Sequence, residues 1–166
     1  MLITRLGKTA LVAAMAFYAS LVAFGNITDY GTNYAFVEHV MKMDTIFPGA
    51  SITYRAIDNP ALWRAFYALI IAAETATAIL CWIGAARMLG SIRQEATVFN
   101  RSKAWAIGGL SFGFLVWQVA FRSIGGEWFG MWQSTTWNGV QSAFRIFITI
   151  LGVLIFVALK DDELHD

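Results

Sequence analysis

Glu74 is the residue in this chain with the most chemistry to offer. It interrupts a stretch from Ala65 to Ala86 that is otherwise apolar apart from two threonines. A carboxyl near the centre of a membrane-crossing helix is costly unless it is neutral, paired or hydrated. Such a group faces the interior of a bundle, where it either serves a pathway or glues helices together by hydrogen bonding. Polar residues on other stretches fall on single helical faces that would meet it. Gln141, Arg145, Thr149 and Gly152 follow i, i+4, i+8 and i+11, and Ser111, Gln118 and Arg122 follow i, i+7 and i+11. Tyr67, Ile71, Glu74 and Ala78 line one face, and Tyr18 lies at similar depth. Arg145 is the partner that depth favours, since it sits about five residues, or roughly 7–8 Å, outward of the middle of its stretch. The expectation is a polar cluster of Glu74, Gln118, Gln141 and Arg145 in the outer half of a bundle, with Arg122 at its edge.

A second group is His39, Met41 and Met43. Imidazole and thioether ligands together suit Cu(I). The three do not share one helical face, and Met is ordinary filler for apolar surfaces. His39 therefore reads better as an interfacial or capping histidine, and no cofactor is expected. Cys81 stands alone, which excludes an internal disulfide framework and a Cys-rich metal site. The histidines are His39 and His165, neither inside an apolar run, which disfavours haem. No Ser/His/Asp or Cys/His constellation can be assembled, so enzymatic activity is the weakest expectation.

The elements that must position these residues follow from where charge is missing. The chain has 166 residues, of which 58% are hydrophobic and only 14% charged. That charged share is about half the soluble norm. No charged residue occurs between Lys8 and Asp29, a run long enough to cross about 30 Å of hydrocarbon as a helix. The stretch containing Glu74, the run from Ala104 to Phe121, and Val140 to Leu159 make three more spans. The fold class expected is all-α: a polytopic bundle of four transmembrane helices at about 9–28, 61–88, 104–122 and 139–159. Outer loops then cover 29–60 and 123–138, an inner loop 89–103, and an acidic, solvated tail 160–166, all in one membrane domain. Arg5 and Lys8 before the first run, with Ala14-Met15-Ala16 inside it, mimic a secretory signal. A cut there would leave too short an apolar core, so the run reads as a retained anchor.

Lys and Arg bias sets orientation. With the N-terminus inside, Arg5, Lys8, Arg87, Arg93, Arg101, Lys103 and Lys160 lie on the cytoplasmic side. Lys42, Arg55, Arg64, Arg122 and Arg145 lie on the outer side, so both termini are expected in the cytoplasm. Within the first outer loop, Phe36, Val37, Val40 and Met41 recur at helical spacing and predict a short interfacial helix from Asn33 to Asp44. Asp58-Asn59-Pro60 reads as a helix start and Gly90 as a stop. Ser91-Ile92-Arg93-Gln94 resembles a capping box opening a short inner helix, with Ile92, Ala96 and Phe99 toward the headgroups. Trp63, Trp82 and Trp105 suit aromatic belts. The denser second outer loop, with Glu127, Trp128, Trp132, Trp137 and Asn138, reads as a lid-like segment or a docking surface. Gly109 and Gly113 form GxxxG, and Ala72 and Ala76 small-xxx-small, either of which packs the bundle or meets another subunit.

The two outer segments also carry a resemblance. Asn26 through Tyr34, Phe36-Val37-Glu38-His39-Val40 with Met43-Asp44-Thr45, and Gly125-Gly126-Glu127-Trp128-Phe129 with Met131-Trp132-Gln133-Ser134 and Trp137-Asn138-Gly139 are its main parts. Trp63-Arg64 and Glu74 add to it. In these the chain resembles a bacterial domain-of-unknown-function family described as predicted small integral membrane proteins. The resemblance implies four transmembrane helices and a bacterial inner membrane. It brings no activity with it.

Three functions remain in view. The first is an accessory or interaction subunit of a larger inner-membrane complex, with the lipid bilayer, other membrane subunits or further copies of itself as partners and no nucleic acid. The second is an oligomeric transporter or channel with a Glu74/Arg145 pathway. The third is an outer-side copper or small-ligand binding protein using His39, Met41 and Met43.

Overall fold

The computed structural model describes residues 2–164 and places six helices, with no strand among the described residues. They are α1 (Leu2–Thr28), α2 (Tyr30–Lys42), α3 (Pro60–Gly90), α4 (Ala96–Ser102), α5 (Ala104–Leu115) and α6 (Val140–Ala158). The helix begun by α5 continues as a π-helix over Val116–Trp128. Four of these helical stretches are long and apolar enough to cross a membrane: Leu2–Thr28, Pro60–Gly90, Ala96–Trp128 and Val140–Ala158. The expected all-helical, four-span architecture is therefore present.

Helix α3 starts where the local chemistry says it should. The Asn59 side chain accepts hydrogen bonds from the backbone N–H of Ala61 (2.9 Å) and Leu62 (3.4 Å), and Pro60 occupies the first turn, where no N–H is needed. Ser91 ends this helix instead of opening the next. Its hydroxyl donates to the Arg87 carbonyl at 3.0 Å, and α4 begins only at Ala96, whose N–H is met by the Glu163 carboxylate. The side chains of Ala96 and Phe99 are buried in the protein and do not face headgroups. The short helix expected between the first two spans begins earlier than expected, at Tyr30, and closes on Met43 in the left-handed conformation.

Small residues set the bundle's register. A Cβ on Gly84 would stand 2.5 Å from the Ala106 backbone nitrogen, and one on Gly109 2.9 Å from that of Cys81. One on Gly113 would meet the Thr77 methyl at 2.8 Å. The GxxxG pair is thus consumed inside the chain, where it lets α5 approach α3 closely. Around this seam Val12, Ala16, Met88, Phe99, Leu110, Trp117, Phe147 and Val157 form the main core.

One end of the bundle carries the start of α1 and the stretch after α6; it is called the terminal end here, and the other the loop end. At the terminal end the tail departs from the solvated state expected of it. Asp161 is 2% exposed, and its Oδ2 accepts from Lys8 Nζ at 2.7 Å and from Lys103 Nζ. Arg5, fully buried, donates to the carbonyls of Ile92, Gln94 and Asp162. Burial alone would raise the Asp161 carboxyl, but the hydrogen bonds and charges of Lys103 and Lys8 hold it below the usual carboxylate range. His165 and Asp166 of the expected acidic tail lie outside the described residues.

At the loop end the two connections are zipped together. Thr45 and Ser134 hydroxyls are 2.8 Å apart, and the Phe47 N–H donates to Gln133 Oε1 at 3.2 Å. A smaller apolar cluster of Val37, Met41, Met43, Trp63, Tyr67 and Phe129 fixes α2 against the start of α3.

Candidate functional site

Helices α1 and α3 run antiparallel, and two hydrogen bonds define their register. Trp82 Nε1 donates to Ser20 Oγ at 3.1 Å, and Asn26 Nδ2 donates to Glu74 Oε2 at 2.6 Å. Asn26 lies in the last turn of α1, which ends at Thr28. Glu74 is therefore level with the loop end of α1, although it lies near the middle of its own helix. The reason is length: α3 has 31 residues, about 46 Å at 1.5 Å per residue, and overruns a bilayer core of about 30 Å. Its first turns stand beyond α1 and are covered by α2 and the loops.

Glu74 is 1% exposed. It borders a cavity of about 300 Å³ beneath α2 and the second loop. Val22 and Asn26 come from α1, and Asn33, Phe36 and Val37 from α2. Tyr67, Ile70 and Glu74 come from α3, and Trp117 and Phe121 from the π-helix. Asn138, Gly139, Ser142, Ala143 and Ile146 close the ring from the start of α6. The Tyr67 hydroxyl donates to the Asn26 carbonyl at 2.7 Å, so its polar tip is spent and its ring forms wall. That ring packs edge-on against Tyr30 (4.8 Å) and Tyr34 (6.1 Å). A mostly apolar concavity with a few convergent polar groups is the usual form of a small-molecule site.

Residues 4–160 match a family described as predicted small integral membrane protein (DUF2165). The chain belongs to that family. No curated protein and no solved structure matches it.

In this DUF2165 chain the expected polar cluster does not assemble around Glu74. Arg145 and Gln141 are exposed on the outward face of α6, and Gln118 is half-buried. Arg122 lies over the rings of Phe144 (5.6 Å) and Phe147 (5.9 Å). Among the described residues no Lys, Arg or His forms an ion pair with Glu74. Its partner is Asn26, which lies outside the expected cluster of Gln118, Gln141 and Arg145. The signal available was an amide two residues from the end of an apolar run.

The second loop divides by function. Trp137 is half-buried, stacked on His39 at 4.6 Å and edge-on to Phe36 at 6.0 Å, which itself lines the cavity. Asn138 donates to the carbonyls of Trp132 (3.3 Å) and Ser134 (3.2 Å) and accepts from Val140 N–H at 3.1 Å. Trp128, Trp132 and Glu127 are exposed, and Arg55 sits 4.8 Å over the Trp128 ring. His39 Nδ1 is 2.8 Å from the Asp44 carboxylate, whereas Met41 and Met43 are buried in the α2–α3 apolar cluster. Among the described residues no three of His, Cys, Asp and Glu are grouped as a metal site would require.

Proposed function

We propose that this membrane protein binds a small solute in the cavity at the loop end, with Glu74 as the group that selects it. The observation that carries this reading is a void of about 300 Å³ bordered by a buried carboxylate whose partner is one amide. A carboxyl kept only to glue helices would be packed around and fully matched by donors. Here a single amide meets the carboxyl, and the cavity lies beside it.

The cavity lies at the loop end of the bundle. Beneath it the bundle is filled by the main core, and the terminal end is closed by the Arg5, Lys8, Lys103 and Asp161 network. This favours capture at one face over a through-path, and so favours ligand binding over a channel. The excess of basic residues at the terminal end, seven against five, supports an orientation with that end in the cytoplasm of a bacterial inner membrane and the cavity toward the outer side. A role as an accessory subunit draws support from Trp128 and Trp132, about half exposed at the loop end. Extraction in mild detergent followed by mass spectrometry tests that second role, and a chain that purifies alone at every detergent strength rejects it.

The test of the main reading is thermal stability of the purified chain against a panel of small solutes. A binding solute raises the unfolding temperature of the wild type, and Glu74→Gln abolishes the rise. Solutes that protect both proteins equally would remove Glu74 from the site.

A further inference from the structure

The charge balance of this cavity narrows the chemistry of its occupant, given the binding role proposed above. Glu74 is 1% exposed and its carboxylate receives one described hydrogen bond, from the neutral Asn26 amide. The basic residues at this end of the bundle are directed elsewhere. Arg122 lies over Phe144 and Phe147, Arg64 and Arg145 are exposed, Arg55 covers Trp128, and Lys42 pairs with Glu38 at 2.6 Å. A buried carboxyl with no cation beside it either keeps its proton or bears a desolvation cost that one amide does not offset. A cationic occupant removes that cost, and an anionic one would add to it.

The walls say which kind of cation. Phe36, Tyr67, Trp117 and Phe121 line the cavity, and aromatic rings attract cations through their quadrupoles. A hard metal ion would require about six oxygen ligands in close geometry. The cavity has one carboxylate, and its volume of about 300 Å³ is far larger than any bare ion. Ring walls, one acid and spare room together suit a positive charge carried on an apolar body.

We propose that the cavity binds a small alkylated ammonium ion, with the positive nitrogen toward Glu74 and its alkyl groups against Phe36, Trp117 and Phe121.

The experiment uses the full chain in detergent or nanodiscs and titration calorimetry with two matched probes. Choline and 3,3-dimethylbutan-1-ol have the same shape and differ in charge. The wild type is expected to bind choline at least about tenfold more tightly than the neutral probe. Glu74→Gln should bring the two affinities together while leaving the neutral probe's affinity unchanged, which also verifies that the variant is folded. Phe36→Leu keeps the apolar bulk without the ring, and should weaken choline several-fold with little effect on the alcohol. Equal affinities in the wild type, or an undiminished choline preference in Glu74→Gln, overturn the cation inference and leave the binding role standing. Absence of binding by either probe overturns both.

Discussion

Replacing Asp161 by Asn should be among the most damaging single-atom changes available in this protein. Asp161 is 2% exposed and lies between two ammonium groups, Lys8 at 1% and Lys103 at 2% exposure. Its Oδ2 accepts from both. Removing one member of a buried ion pair costs about 3–5 kcal/mol, chiefly because the remaining charge is left buried. Both lysines keep neutral acceptors here. Lys8 also donates to the Leu159 carbonyl at 2.6 Å, and Lys103 to the same oxygen at 2.9 Å and to Asn100 Oδ1 at 2.7 Å. Those bonds place the expected loss at the lower limit, about 3 kcal/mol. The neighbouring Asp162 is the control. Its side chain is exposed and only its backbone carbonyl is used, by Arg5 at 2.9 Å, so Asp162→Asn should stay within about 0.5 kcal/mol. Unfolding in mixed micelles by titration with sodium dodecyl sulfate, followed by far-ultraviolet circular dichroism, measures both. The pH dependence gives a second readout. The folded carboxyl of Asp161 is held below its ordinary value, so its contribution is present at neutral pH and disappears as pH falls through that depressed value, below about 3.8. The stability gap between wild type and Asp161→Asn should therefore close in strong acid. An Asp161→Asn protein as stable as wild type, or a gap that persists at low pH, would refute the reasoning.

Three further outcomes follow from the packing. Gly84→Ala puts a methyl 2.5 Å from the Ala106 backbone and should cost about 1–3 kcal/mol in the same unfolding titration, whereas Gly108→Ala meets open space and should be neutral or gain up to about 1 kcal/mol. Asn59→Ala removes the α3 cap and should cost about 1 kcal/mol, with Asn59→Asp close to wild type. In a Cys81→Ser background, a membrane-impermeant maleimide applied to intact cells should label Thr53→Cys, exposed at the loop end, and spare Thr97→Cys, exposed near the terminal end. The reverse pattern would invert the proposed orientation.

The four spans were legible because charge gaps are one-dimensional: a helix that crosses hydrocarbon must exclude charge over about 20 consecutive residues. The start of α3 was legible for a similar reason, since Asn59-Pro60 acts on N–H groups two and three residues away. The partner of Glu74 was not legible. Matching residues by depth assumes that each helix is centred on its own apolar run. The Trp82–Ser20 and Asn26–Glu74 hydrogen bonds fix the true register of α3 on α1, and α3 overruns α1 by several turns. Depth then moves Glu74 to the loop end of α1, beside Asn26. Composition also misled at the tail. A run of acidic residues reads as solvated unless its buried partners are known, and Lys8 lies 153 positions from Asp161. Gly125-Gly126 read as loop, yet both are buried within the π-helical continuation of α5, and a Cβ on Gly126 would reach a Val140 methyl at 3.3 Å.

The two ends of the bundle handle buried charge in opposite ways, and the contrast locates the site. At the terminal end two lysines meet one buried carboxylate and Arg5 meets backbone carbonyls, so nearly every donor is spent on Asp161, on Asn100 or on the carbonyls of Ile92, Gln94, Leu159 and Asp162. Little capacity to bind is left there, with Arg5 Nε the one buried side-chain polar atom without a partner among the described residues. A region so closely matched is built for rigidity. At the loop end one carboxylate is buried with a single amide donor, and a cavity of about 300 Å³ lies beside it. Filling that space with a methyl or an extra ring would have been simple, since Ala143 and Ser142 already line it. Leaving Glu74 underused costs stability in the free protein, and a ligand that supplies the missing charge recovers that cost as affinity. The same argument explains why the matched cluster and the unmatched carboxyl stand at opposite ends. A rigid base keeps α1, α5 and α6 in register, so the cavity walls would hold their spacing around the solute proposed to bind there.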